Sequence, residues 1–217
     1  LKHFNFIIDF NKKMINKIKR FSKSNKAAFQ TRNIPHYGHE RIFKEIFKIS
    51  DLLIINPLVG LKKKNDCTNY TLKKSYDILK KIYKNKLVYL PILANMHYCG
   101  PREALHHLNL REKFGFNIFT IGRDHAGAEN VYHPLSAINL VKKNLKKFKI
   151  QTFTHNGAYF CEKCDKIILK GECSHQKSLK EISGSEFRQN IIKKKSYKFA
   201  RKEIHDILKK SKKKLFY

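Results

Sequence analysis

Gln30-Thr31-Arg32-Asn33 and His36-Tyr37-Gly38-His39 set two amides, a guanidinium and two imidazoles within one short connection. A plain turn needs none of them. Together they suit a ligand carrying several negative charges. Arg32 offers a planar fork for an oxyanion, and Gln30 and Asn33 add neutral hydrogen bonds. A helix starting near Pro35 presents unpaired backbone N–H groups and the positive end of its dipole, with His36 and His39 in its first turn. Gly38 lets a ligand approach the backbone closely. A second cluster, Gly122-Arg123-Asp124-His125-Ala126-Gly127, follows an apolar run. Arg123 again suits an anion, and Asp124 can accept hydrogen bonds from ribose hydroxyls.

Two further groups invite chemistry. Cys99-Gly-Pro-Arg102-Glu103-Ala-Leu-His106-His107 opens with proline where a helix would start. A cation is disfavoured at that end, so Arg102 points to a bound anion or to pairing with Glu103. The adjacent His106 and His107 cannot share a helical face. One buried and one exposed ring is expected, neither a ligand. Cys161-x2-Cys164-x8-Cys173-x-His175 gathers three thiols and an imidazole, a donor set for tetrahedral Zn²⁺ in a structural role. Clustered, unpaired cysteines fit a reducing compartment better than a disulfide framework.

The elements that must carry these groups alternate. Strands are expected at Ala27–Gln30, Asp51–Val59, Leu87–Leu93, Phe116–Ile121 and Lys149–Phe153. Helices are expected at Tyr37–Ile49, Tyr70–Tyr83, Pro101–Phe114 and Pro134–Phe148. This predicts an α/β domain, a Rossmann-like parallel sheet with helices on both faces, whose ligands bind beyond the carboxyl ends of the strands. The unusual polar residues fall at those ends. The expected division is a lead-in region over 1–26, a catalytic α/β domain over 27–155, a zinc-binding knuckle over 156–180 and a helical carboxyl-terminal segment over 181–217.

At 217 residues with 41% hydrophobic content the chain can build one core. No apolar run approaches the roughly 18 residues that cross a bilayer, and Asp9 interrupts the apolar start, so neither a membrane span nor a signal peptide is expected. The net charge of +30 admits a nucleic-acid partner. Lysine is spread over every segment, however, and no aromatic–arginine stripe marks a binding face. A basic zinc-ribbon protein that binds nucleic acid is therefore the weaker reading.

The segments AFQTRNIPHYGHE, LLIINPLVG, CGPREALHH, IFTIGRDHAG and ISGSEFR, in this order, resemble ATP sulfurylase, the sulfate adenylyltransferase family of HxGH-type nucleotidyltransferases. The resemblance covers about Ala27 to Arg188. It implies a cytoplasmic enzyme that joins sulfate to the α-phosphate of Mg²⁺-bound ATP and releases pyrophosphate. It implies sulfate contacts at Gln30, Arg32, Arg123 and a backbone contact at Ala126. It implies ATP contacts at Asn33, His36, His39, Gly122, Asp124 and Ser185, the last in a Ser183-Gly184-Ser185 loop that closes near the nucleotide. Arg32, Asn33, His36, His39 and Arg123 carry the chemistry in that scheme, Arg32 and Arg123 neutralising sulfate and the two histidines the phosphates.

The chain departs from the pattern in three respects. Ile34 stands between the Arg-Asn pair and Pro35, Ser185 replaces the usual threonine, and most of a PUA-like amino-terminal domain has no counterpart. A homo-oligomer is compatible with the family. An acceptor other than sulfate and an inactive truncated relative remain as alternatives. Several family members carry a comparable zinc site.

Overall fold

The computed structural model describes residues 2–127 and 131–217. Five strands, β1 (Lys26–Phe29), β2 (Leu52–Ile55), β3 (Leu87–Tyr89), β4 (Ile118–Gly122) and β5 (Gln151–His155), form one parallel sheet in the order β3-β2-β1-β4-β5. Ala28 of β1 lies between Ile54 of β2 and Phe119 of β4.

The central strands are continuously apolar because both faces are covered. Successive side chains point to opposite faces. Ala27, Phe29, Leu53 and Ile55 enter one core with α2 (Tyr37–Ile46), α3 (Asn69–Tyr83), α6 (Gly184–Ile192) and α7 (Lys202–Lys209). Ala28, Ile54, Phe119 and Ile121 enter a second core with α1 (Lys2–Lys19), α4 (Pro101–Lys113) and α5 (Ser136–Asn144). Each fully buried Ile or Phe contributes about 1.5–3 kcal/mol. The helices on both faces are thus as the alternation predicts.

Local chemistry sets the element ends. Thr68 caps α3, its Oγ1 accepting the Thr71 N–H at 3.2 Å. Pro101 opens α4. The helix expected to reach Ile49 stops at Ile46, whose carbonyl accepts the Ile49 N–H at 3.0 Å and the Ser50 hydroxyl at 2.9 Å. The helix expected over Pro134–Phe148 is Ser136–Asn144 followed by a single 3₁₀ turn. The fifth strand runs past the expected Phe153 to His155, carrying that imidazole to the sheet's edge of chemistry.

The weakly helical lead-in is an 18-residue helix, α1. It buries Met14 and Ile18, and its Asn11 amide pairs with both backbone groups of Leu93 at 3.0 and 2.9 Å. Arg111 of α4 is 0% exposed. It donates to the Asn56 side chain at 3.0 Å and to its carbonyl at 2.9 Å, over the Phe119 ring, and so anchors the turn after β2.

A second, antiparallel sheet holds β6 (Ala158–Cys161), β7 (Lys166–Leu169) and β8 (Leu179–Glu181) in the order β7-β6-β8. Phe160, Ile167 and Leu169 pack against the α2-side core. The small sheet therefore leans on the main one and walls one side of the strand ends.

Candidate active site

β1 is flanked by β2 on one side and β4 on the other, so the chain turns opposite ways on leaving them. The crevice beyond the ends of β1 and β4 is the place where such sheets bind ligands. There a cleft of about 300 Å³ opens. The loop after β1 supplies Gln30, Arg32, Asn33, His36 and His39. The end of β4 supplies Gly122, Arg123, Asp124 and Ala126, and the start of α6 supplies Ser185. Every residue the family resemblance assigns to sulfate or ATP thus lines a single cleft; Arg102, the other candidate for an anion, is not among its lining residues.

The histidine turn is built from its own backbone. His36 is the N-cap of α2, and its Nδ1 accepts the His39 N–H, while His39 Nδ1 accepts the His36 N–H, both at 3.3 Å. This is a capping box made by two imidazoles, whose rings stack at 3.9 Å. A nitrogen that accepts is unprotonated, so each neutral ring carries its proton on Nε2 and is left with one donor. Burial pushes His36 down to about 3, and His39 well down through burial and the neighbouring imidazoles. The family resemblance implies a charge-neutralising part for these rings. Burial makes them neutral N–H donors at a helix terminus instead.

The three guanidiniums at the cleft are all engaged. Arg32 Nη1 meets Asp66 at 3.1 Å, Arg123 pairs with Glu181 of β8, and Arg188 of α6 donates to the Asn33 side-chain Oδ1 and to Ser185 Oγ, the latter at 3.0 Å. Asp66 is buried and also accepts the Tyr98 hydroxyl at 2.6 Å. Glu181 is half exposed. With the Asn33 oxygen taken, its amide N–H groups remain for a ligand. Backbones crowd closely here. A Cβ on Gly184 would lie 2.7 Å from the Asn33 side chain, and one on Gly122 2.9 Å from the His155 ring. Asp124 and Ala126 both hold left-handed backbone, at φ 53° and 56°, a conformation non-glycine residues adopt where surrounding structure enforces it.

Beneath the cleft floor lie groups that sequence reading passed over. Of the adjacent pair, expected to hold one buried and one exposed ring, His107 is the buried one, and it contacts the Gln30 amide and His125, each at 3.1 Å. Glu103 turns inward to His107 at 3.2 Å rather than pairing with Arg102, which is exposed. Asp66, Glu181 and His155 also belong to the site. Their only sequence signal was position: Glu181 stands just ahead of Ser183-Gly184-Ser185, and His155 ends a strand. Cys99 is exposed and donates weakly to the His97 carbonyl at 3.5 Å.

The Cys161, Cys164, Cys173 and His175 donor atoms all lie within 4.8 Å of one another, at the end of the small sheet. Cys173 and Cys161 sulfurs are 3.7 Å apart, and His175 Nδ1 is 3.3 Å from Cys164 and 3.8 Å from Cys161. Tetrahedral sites with Zn–S bonds of about 2.3 Å need sulfur spacings of about 3.7 Å. The four residues fit a metal ion.

The family model described as ATP-sulfurylase matches residues 10–211. The chain is similar to the sulfate adenylyltransferase of Ignicoccus hospitalis, 38% identical over 169 residues, which covers 76% of this chain and 44% of that protein. It is likewise 38% identical to the sulfate adenylyltransferase of Pyrococcus abyssi over 170 residues, 77% of this chain and 45% of the relative. That of Persephonella marina is 37% identical over 187 residues, 84% and 48%. The chain spans less than half the length of these curated relatives. Among solved structures, the hexameric APS kinase from Thiobacillus denitrificans superposes with a TM-score of 0.68 over 89% of this chain and 38% of that one, at 14% identity, a likeness of fold.

Proposed function

Because the chain belongs to the ATP-sulfurylase family, we propose that it is the catalytic part of a sulfate adenylyltransferase, joining sulfate to ATP to give adenosine 5'-phosphosulfate and pyrophosphate. The observation that carries the reading is that Arg32, from the loop after β1, and Arg123, from the end of β4, line one cleft with the His36–His39 helix terminus.

Sulfate is fully ionised at neutral pH, so its oxygen attacks the α-phosphorus without a general base. The bond from that phosphorus to the bridging oxygen breaks in line, and pyrophosphate carries the charge away. The obstacle is electrostatic, a dianion brought against a polyphosphate. Arg32 and Arg123 hold sulfate, with Gln30 and the Ala126 backbone beside them. To do so the arginines exchange Asp66 and Glu181 for the substrate. His36 and His39 donate Nε2–H to the phosphates, with Asn33. Gly122 and Asp124 meet the ribose, and Ser185 closes over the nucleotide. Holding two reactants aligned supplies roughly 7–11 kcal/mol in favourable cases. Mg²⁺ bound with the ATP phosphates would offset part of their charge.

Zn²⁺ held by Cys161, Cys164, Cys173 and His175 would be structural in this scheme, because four protein donors leave no open coordination position for a substrate. The described cysteines are all free, which supports a reducing, cytoplasmic setting. Among the described residues no helix is long and apolar enough to cross a membrane.

The deciding experiment is pyrophosphate release from Mg²⁺-ATP. Release is expected to depend on added sulfate; release indifferent to sulfate would replace the acceptor, and none at all would leave an inactive relative.

A further inference from the structure

We infer that Glu103 and His107 are positioning residues for the anion site, fixing which face of the Gln30 amide a bound oxyanion meets. The inference takes the identity of the anion from the proposed function; the hydrogen-bond order stands on geometry alone.

The order starts at a buried carboxylate. Glu103 is 5% exposed. Its two oxygens accept the backbone N–H groups of His97 and Cys99, each at 2.8 Å, and Oε1 lies 3.2 Å from His107 Nε2. Burial alone would raise this carboxyl. The hydrogen bonds from His107 and the two backbone groups overcome it and hold the carboxyl at about 2, so Glu103 is ionised and can only accept. His107 must therefore carry its proton on Nε2. The ring is 1% exposed and neutral, burial pushing it down to about 4, so Nδ1 is a bare lone pair.

Two donors converge on that lone pair, Gln30 Nε2 and His125 Nε2, both at 3.1 Å. A carboxamide oxygen in the same place would face a lone pair and be repelled. The Gln30 amide is thereby locked with its nitrogen toward His107. One N–H is spent there, and Gln30 Oε1 is buried without a partner. The remaining N–H is the only donor this side chain can offer. Sulfate has acceptors alone, so an unlocked amide, free to turn by half a rotation, would present a repelling oxygen to it.

Two substitutions separate positioning from mere packing. His107→Asn keeps an acceptor oxygen near the place of Nδ1. His107→Gln keeps a donor toward Glu103 and leaves nothing at Nδ1. In the intact protein His107→Gln is expected to raise the KM for inorganic sulfate about tenfold, with the KM for ATP changed less than about twofold, and His107→Asn to recover most of that loss. A folded His107→Gln protein with an unchanged sulfate KM, or with both KM values moved together, overturns the inference. Nitrogen-15 NMR of the wild-type protein supplies an independent arm. His107 is expected to be protonated at Nε2 and bare at Nδ1, and the opposite tautomer overturns the lock. This arm needs no variant to fold and no turnover. If the wild-type protein shows no sulfate-dependent pyrophosphate release, the adenylyl-transfer reading falls, while the ring tautomer still decides the relay.

Discussion

An arginine in a cleft is useful only if its present partner can be displaced. Asp66 is buried and fixed by the Tyr98 hydroxyl, so it orients Arg32 strongly. Glu181 is half exposed and belongs to a short strand, so its hold on Arg123 is the looser of the two. Opposite outcomes follow from removing the cation and removing its competitor. Arg32→Ala should lower sulfate-dependent turnover by about 100-fold or more, as loss of a charge-stabilising donor does elsewhere, in a protein that still folds but unfolds at a lower temperature because buried Asp66 loses its cation. Near-normal turnover would take Arg32 out of the site. Glu181→Gln should lower the sulfate KM by a few-fold, since an exposed pair is worth only about 1 kcal/mol or less. Initial-rate measurements against sulfate concentration check both, and a raised KM in the Gln variant would make Glu181 a needed wall rather than a competitor.

At the scale of elements, the small sheet matters because of what it shores up. β8 leads directly into Ser183, Gly184 and Ser185, and β6 begins at Ala158; all of them line the cleft. β6 and β8 are tied by three residue pairs and end at the Cys161 cluster, too few groups to bury a core of their own. A metal bound at that cluster would therefore hold the cleft wall in place. Metal analysis should give about one zinc per chain. Chelation at mild temperature should abolish turnover and expose the 156–185 region to proteolysis, while far-ultraviolet circular dichroism retains most of the helical signal of the main domain. Full activity after complete metal removal would make the cluster dispensable.

At the scale of the whole molecule, the buried imidazoles set an acid limit. Burial depresses His36 to about 3 and His107 and His155 to about 4, and lowers His39 and His125 as well. An unfolded histidine titrates near about 6.5. Below that value the unfolded chain binds protons that the folded chain refuses. Stability is therefore complete above about pH 6.5 and falls as pH drops toward about 4, by about 1.4 kcal/mol per pH unit for each such proton. Thermal unfolding should be flat between about pH 7 and 8 and decline steeply below about 6.5; a melting temperature unchanged at about pH 4.5 would mean these rings are not buried neutral.

Much of this was legible in the residues themselves. The apolar runs at Ala27–Phe29 and Leu52–Ile55, the proline at α4 and the turn chemistry of His36–His39 are local, because a backbone carries its apolar runs and caps wherever it goes. From these the parallel sheet, its two covered faces and the placing of the polar clusters at strand ends followed, as did the thiol–imidazole donor set. What the sequence could not hold were the partners. Asp66 beside Arg32, Glu181 beside Arg123 and His107 behind Gln30 are chosen by strand order and burial, across separations that no spacing records, whereas Glu103 and His107 stand one helical turn apart. Protonation follows the same division. Side-chain type says that an imidazole can titrate, but only desolvation within the folded chain decides that these rings stay neutral, each with a single N–H to donate.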